Sequence, residues 1–357
     1  MEEALSPERL LIVRLTAVGD VIHGAPVLCA LRDRFPDAFI AWAVEGRGGD
    51  LLEGHRALNK LIRLPRRWYR SPRAVMALRR ELLAHRFDTT IDLQCLTKSA
   101  AVARLSGAPR RIGAGGASGR ELSKRLNNVL TEVVADHVVH HYLRIAQPLG
   151  VDVVGEDNRP KGFERVRFDL EERDHDAAFA GKTLGAAELS SGAFAILNPG
   201  AGWKSKLWPP ERYGQLARQL ASEHRLRTLA VWGGDDERPL AESIVNHSSG
   251  AATLAPPTTL PQLGAICRRA RLFVGSDTGP MHLAVAVGTP TVSLHGPSDA
   301  AWCGAYGQGN ATVQKQQVEG SYGDRRRASD AAMRAISVND VAAACRRVLA
   351  PRSIAAA

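Results

Sequence analysis

No run of about 18 apolar residues, the length a helix needs to cross a bilayer, occurs in this 357-residue chain. Cysteine is scarce and poorly placed for cross-linking. Cys29, Cys95, Cys267, Cys303 and Cys345 are odd in number, and no two form a CxxC pair. This argues against a disulfide framework and a structural zinc site and fits a reducing compartment. The opening MEEALSPERLLIVRL is acidic where a secretory signal is basic, and its apolar run is short. A cytoplasmic location is therefore expected. Neither GxGxxG nor GxxxxGK[ST] occurs, which counts against a dinucleotide site and a Walker-type phosphate loop. Aromatic residues make up only 5% of the chain, against 33 glycines. That mix suits repeated strand–loop–helix units better than an all-β sandwich.

The length suggests two domains, and 45% hydrophobic residues suffice for two cores. Short apolar runs alternate with helical patterns. Residues 9–15, 39–45, 88–94 and 110–114 read as strands, and 78–87 and 99–107 as helices. After a charged stretch holding the inter-domain connection near 160–175, a second series begins. Residues 193–200, 227–234, 271–276 and 290–296 read as strands, and a last helix covers 337–350. Such alternation predicts an α/β protein with two parallel, doubly wound, Rossmann-like domains. Ligands in open sheets of this kind bind beyond the carboxyl ends of the strands.

Chemistry-bearing residues cluster at those ends. In VRLTAVGDVIHGAP (13–26), Gly19 permits a tight turn before a helix and Asp20 sits near the helix start. Asp20 reads either as an N-cap or as a carboxylate that takes a proton from a hydroxyl. In LNPGAGWKSKLWPPERY (197–213), Gly200, Gly202, Lys204 and Lys206 follow a strand and Pro209–Pro210 opens a helix. The lysines are either solvated or a phosphate clamp. In RLFVGSDTGPMHLAVAVG (271–288), Asp277, Thr278 and Gly279 form a turn, with His282 one turn into the helix. The free N–H groups of a helix start make an anion site, so phosphate binding is expected there. In AVWGGDDERPL (230–240), an acidic residue past the strand end can accept from a ribose diol or simply face water. DHD (174–176) has the shape of a metal-binding DxD but lies in a helical stretch and reads as helix surface. No metal is expected.

A net charge of +10 favours anionic partners. Residues 60–86 carry nine Lys or Arg and one Glu, with Trp68 and Tyr69 interleaved. The stretch is either a solvated face or a surface for a polyanion at a membrane, where each basic residue contributes roughly 1 kcal/mol. No nucleic-acid signature accompanies it, so nucleic acid is not an expected partner.

LLIVRLTAVGDVIHGAP, NPGAGWKSKLWP and GSDTGPMHLAVAVGTPTVSLHGPSD resemble the three signature regions of glycosyltransferase family 9, the ADP-heptose:lipopolysaccharide heptosyltransferases. DLQCLTKSA (92–100), GASGRELSKRLNN (116–128) and RRWYR (66–70) are similar to its heptosyltransferase I branch. The resemblance implies a GT-B fold, two Rossmann-like domains facing across a cleft: residues 1–168 for the acceptor, 169–357 for the nucleotide-sugar donor. The last helix would pack back on the first domain. It implies heptose transfer from ADP-heptose to a Kdo–lipid A type acceptor with inversion, and no cofactor or metal. Asp20 and Lys206 fall on catalytic positions, as base and as diphosphate contact. Gly19, Gly200, Lys204, Glu237, Asp277, Thr278, Gly279 and His282 fall on the donor side. Arg66, Arg67, Lys98 and Arg120 fall on the acceptor side. The expected partners are that donor, an anionic lipid-linked saccharide and the inner face of the inner membrane. Another family 9 enzyme with a different donor or acceptor, and a non-catalytic binder of anionic headgroups, remain as alternatives. Residues 311–336 match no part of the family pattern.

Overall fold

The computed structural model describes residues 6–151, 166–189 and 193–350. Contacts divide the chain into two units, Met1–Glu171 and Glu172–Ala357. Part of the expected connection, 160–165, lies outside the described residues.

The first unit runs β1 (Arg9–Val13), α1 (Val18–Arg34), β2 (Phe39–Glu45), β3 (Lys60–Leu64), α2 (Pro72–Ala84), β4 (Thr89–Asp92), α3 (Thr97–Leu105), β5 (Arg110–Ala114), α4 (Ser123–Leu126), β6 (Val129–Thr131) and α5 (Val138–Ile145). Its sheet has the order β3-β2-β1-β4-β5-β6. β1 pairs in parallel with both β2 and β4, Val13 lying beside Ala43 and Asp92. A central parallel strand is covered on both faces, so it reads as an unbroken apolar run rather than an alternation. Leu10, Leu11, Ile12 and Val13 are accordingly all fully buried.

The second unit repeats the plan with β7 (Phe194–Asn198), α7 (Pro210–His224), β8 (Arg227–Ala230), α8 (Arg238–Asn246), β9 (Ala252–Leu254), α9 (Leu260–Cys267), β10 (Leu272–Ser276), α10 (Gly279–Ala286), β11 (Thr291–His295) and β12 (Ala311–Gln314). Helix α6 (Asp174–Ala186) precedes β7. Short helices α11 (Ala300–Cys303), α12 (Tyr322–Arg327) and α13 (Ala331–Arg334) and the long α14 (Val338–Leu349) complete it. The order β12-β11-β10-β7-β8-β9 is the first sheet's order over again, counted from β7. Its core includes Leu197, Val274, Leu294, Met333, Ile336 and Val341 around Trp208 and Tyr213. The two rings meet edge-on with centroids 4.6 Å apart, and the Trp208 indole N–H donates to the Ile336 carbonyl at 2.9 Å.

Several local readings change. The helix read at 78–87 starts at Pro72, because Ser71 caps it (Oγ accepting from Ala74 N at 3.3 Å) and Pro72 occupies the first turn. Strands β3, β6, β9 and β12, three to five residues long, were missed because so short a run carries no clear period. Gly19 lies inside the first turn of α1 rather than in a turn before it. The DHD run is only partly helix surface. Asp176 is buried and takes the Arg173 guanidinium at 2.8 Å. Helix α14 packs on α7 and on β10, β11 and β12.

Trp208→Ala removes a fully buried indole and one of the two donors to the Ile336 carbonyl, leaving the Arg212 guanidinium as the other. We expect a loss of about 3–5 kcal/mol, read by denaturant unfolding, with Trp208→Phe intermediate. A loss below about 1 kcal/mol would mean that Trp208 is not central to that core.

Candidate functional site

In the first unit the site begins where β1 ends. Asp20 is the third residue of α1 and accepts from the Ala17 backbone N–H at 3.0 Å, closing the helix start. The structure therefore realises the capping reading in part. The same carboxylate does more. Its Oδ2 lies 2.6 Å from the buried Arg14 guanidinium, and its Oδ1 accepts from the Tyr142 hydroxyl of α5 at 3.1 Å. About a third of the Asp20 side chain stays exposed, against 9% for Arg14. Arg14 also stands over the Tyr142 ring at 5.1 Å. Burial disfavours its charge, but Tyr142 and Asp20 outweigh this and hold it firmly protonated. Burial, aided by Arg14, pushes His141 down to about 4. It is thus neutral at pH 7.

The loop after β4 braces this arrangement. Gln94 accepts from Leu15 N at 2.9 Å. The fully buried Asp92 accepts from Gln94 N, Cys95 N and the Asn127 amide at 3.0, 2.9 and 3.2 Å. Burial nevertheless raises its pKa. Lys98, at the start of α3, pairs with the buried Glu45 at 2.6 Å. The Trp68 indole donates to the other Glu45 oxygen at 2.9 Å. The lysine ammonium lies 5.4 Å from the centre of the Tyr69 ring. The start of α3 is thereby tied to the 66–70 turn, in which Arg66, Arg67, Tyr69 and Arg70 are exposed. Arg120 is exposed on the loop before α4, its backbone N–H bonded to the Cys95 carbonyl.

In the second unit the ends of β7 and β10 converge. Lys206 Nζ reaches Asp277 Oδ2 at 2.5 Å, and His282 Nε2 meets Asp277 Oδ1 at 3.0 Å. Burial alone would raise the Asp277 pKa, but the His282 hydrogen bond and the Lys206 ammonium overcome it and hold the carboxyl well below its usual range. Thr278 precedes the first turn of α10, which starts at Gly279, and Asn198 donates to the Thr278 hydroxyl at 3.4 Å. The Lys206 ammonium also lies over the Trp203 ring at 4.4 Å. Lys204 is exposed, and the structure does not bring it to Asp277.

Gly200 is required by close approach: a Cβ there would stand 2.2 Å from the Glu237 carboxyl carbon. Glu237 in turn accepts from Gly233 N at 2.8 Å. The lysine loop and the acidic turn thus lie against each other. The unplaced 311–336 segment supplies a prop for the same loop. Tyr322 meets Trp203 edge-on at 4.9 Å, and Ser205 donates to the Arg325 carbonyl at 3.0 Å.

Sequence reasoning missed Arg14, Tyr142, Asp92, Glu45 and His295. Arg14 stood inside the quoted motif, directly after the apolar run 10–13, where a cation needs a nearby anion. Tyr142 came from a segment with no strand-end signal. Asp277, His295 and Cys303 place three potential metal ligands within 4.8 Å. Asp277 is already engaged by Lys206 and His282, burial pushes His295 down to about 4, and burial pushes the Cys303 thiol up. A thiol kept protonated is a poor metal ligand.

The chain is thus an α/β protein of two Rossmann-type units, each gathering polar side chains where its strand order reverses. The family model for glycosyltransferase family 9 (heptosyltransferase) matches residues 75–329. The chain belongs to that family and is a glycosyltransferase. Among relatives, "Lipopolysaccharide heptosyltransferase 1" of Salmonella typhimurium is 26% identical over 84% of this chain and 92% of its own length. The protein of that name from Pseudomonas aeruginosa is 28% identical, over 84% and 82%. Among solved structures, the E. coli heptosyltransferase WaaC with ADP superposes with a TM-score of 0.71 at 22% identity, covering 96% of this chain and 99% of that one. A family 9 glycosyl transferase from Veillonella parvula reaches 0.80 at 21% identity, covering 96% and 97%. The fold is the GT-B fold of these enzymes.

Removing Lys206 leaves a buried carboxylate short of its main countercharge. Lys206→Met should cost about 3 kcal/mol at pH 7, measured by denaturant unfolding. Asp277 is held low in the folded state. Its contribution is therefore complete above the unfolded carboxyl value of about 3.9 and is lost as pH falls through the folded value. The stability curves of wild type and variant should converge there. A difference independent of pH would contradict this origin.

Proposed function

We propose that the protein is an inverting heptosyltransferase that moves heptose from ADP-heptose to the Kdo sugar of a Kdo–lipid A type acceptor without a metal. The observation that carries this reading is Asp20, a strand-end carboxylate fixed by Arg14 and Tyr142 yet still open to solvent. The names of the relatives supply the sugar and the lipopolysaccharide acceptor. WaaC, whose structure holds ADP, supplies the nucleotide.

The chemistry is one in-line displacement. The acceptor hydroxyl gives its proton to Asp20 as its oxygen bonds to the anomeric carbon. The bond from that carbon to the diphosphate oxygen breaks, and ADP leaves. The buried Arg14 guanidinium and the Tyr142 hydroxyl hold the Asp20 carboxyl in place for this step. The leaving diphosphate gathers negative charge, which Lys206 and the N–H groups at the start of α10 stabilise. Gly200 leaves room for Glu237, whose carboxylate suits a ribose diol. Arg66, Arg67, Lys98 and Arg120 supply cations for the anionic acceptor, and the protein works peripherally at the cytoplasmic face of the inner membrane. A family 9 enzyme with another nucleotide sugar is the second reading, because the donor loop keeps the general family pattern.

Asp20→Ala should lower kcat about 100-fold or more with ADP affinity nearly unchanged by calorimetry. Lys206→Ala should also weaken ADP binding. Unchanged turnover in Asp20→Ala would sink the base assignment, and tighter binding of UDP or GDP than of ADP would remove ADP-heptose as donor. Treatment with EDTA should leave the rate unaltered. A rate lost to the chelator and restored by added metal would refute metal independence.

A further inference from the structure

The basic stretch at 60–86 separates into two parts in the structure, and the second part has a pattern that binding a sugar phosphate does not explain. Arg66, Arg67 and Arg70 sit in the turn that Trp68 and Lys98 tie to Glu45. Helix α2 follows as a separate surface. It turns Leu78 and Leu82 inward, and its opposite side is open. On that open side Met76 is 65% exposed and Leu83 38%.

These two side chains are seven residues apart, two turns or about 10.5 Å, and lie within about 20° of each other around a 3.6-residue helix. They form one apolar stripe. Arg79 flanks it on one side and the Arg73–Arg80 row, again seven apart, on the other. All three arginines are exposed. Glu81 is the helix's single acid. Among the described residues no ion pair joins Arg73, Arg79 or Arg80 to a carboxylate, whereas Arg63 of β3 is held by Asp50 and Glu53. Tyr69, 51% exposed, continues the apolar exposure into the preceding turn.

We propose that the outward face of α2 seats the protein on an anionic lipid bilayer. Met76 and Leu83 enter the headgroup layer, and Arg73, Arg79 and Arg80 pair with lipid phosphates. A helix lying in the interface has this composition, apolar side chains on the face toward the acyl boundary and arginines along its flanks. Nucleic acid would use the arginines but gives an aliphatic stripe nothing to bury against, and α2 carries no aromatic residue for base stacking. The inference deepens the lipid-linked-acceptor reading and rests on it. A bilayer-seated α2 would hold the neighbouring 66–70 turn at the depth of the headgroups, where a lipid-anchored sugar begins.

The test is co-sedimentation with vesicles that contain no acceptor: phosphatidylcholine alone, and phosphatidylcholine with about 30% phosphatidylglycerol. The wild type should bind the anionic vesicles, more weakly as salt rises. Met76→Asp combined with Leu83→Asp should lower affinity tenfold or more, and so should Arg73→Glu combined with Arg80→Glu. Both variants alter exposed positions and should keep the wild-type Tm. They should also keep transfer to an acceptor stripped of its acyl chains while losing transfer to acceptor embedded in vesicles. Wild-type affinity in both variants, no wild-type binding to anionic vesicles, or tighter binding to a duplex oligonucleotide than to vesicles would each overturn the proposal. Vesicle binding without transfer to any acceptor would support the surface and refute the transferase reading. Transfer without vesicle binding would do the reverse.

Discussion

A parallel sheet sends the carboxyl end of every strand to one edge, and this constraint organises both units. In each, the chain winds outward in one direction from the first strand and returns to the other side of it. The two strands at the reversal, β1 and β4 in the first unit and β7 and β10 in the second, are followed by loops that diverge. Polar side chains can gather there without breaking the apolar interior beneath. Asp20, Arg14 and Asp92 lie at one such point, and Asn198, Lys206 and Asp277 at the other. Residues distant in sequence meet because strands that open the two halves of each unit are neighbours in space.

The cations at these points are not bare. Arg14 holds Asp20, Lys98 holds Glu45, and Lys206 holds Asp277. A buried or half-buried cation without an anion would suffer a large desolvation penalty, which each carboxylate offsets while fixing its partner's position. An incoming phosphate or carboxylate then competes with an internal anion. This raises the demand on shape, since only a ligand that offers more hydrogen bonds than the resident side chain gains access. With a net charge of +10, such masking also limits indiscriminate capture of anions at these sites.

Much of this was legible from residue order alone. Unbroken apolar runs marked β1, β2, β7 and β10, because a strand covered on both faces has no polar alternation to obscure it. The lysine loop and the Asp277–His282 turn were legible because Gly and Pro fix where a strand stops and a helix starts. Less visible were the strands at the sheet edges, three to five residues long and too short for a period to show. Tyr142 and Glu45 were hidden for a different reason. Their significance is a pairing across 122 and 53 positions of chain, and no local pattern encodes a partner that far away. Lys204 shows the converse. Two lysines spaced two apart look equivalent in sequence, but in a tight turn they face different directions, and Lys206 alone reaches Asp277.

The prop formed by Tyr322 and the Arg325 carbonyl against Trp203 and Ser205 has a consequence for how such enzymes can be recombined. The loop after β7 and the residues that support it, Tyr322 and Arg325, both lie within the span 75–329 that the family model matches, although 311–336 had no recognisable motif in the sequence. The two are more than a hundred residues apart in sequence but act as one mechanical part. A chimera that imports the 199–208 loop from a relative while keeping the native 321–334 would set a foreign loop on a mismatched support. The natural unit of exchange is therefore discontinuous, the loop together with the distant residues that brace it.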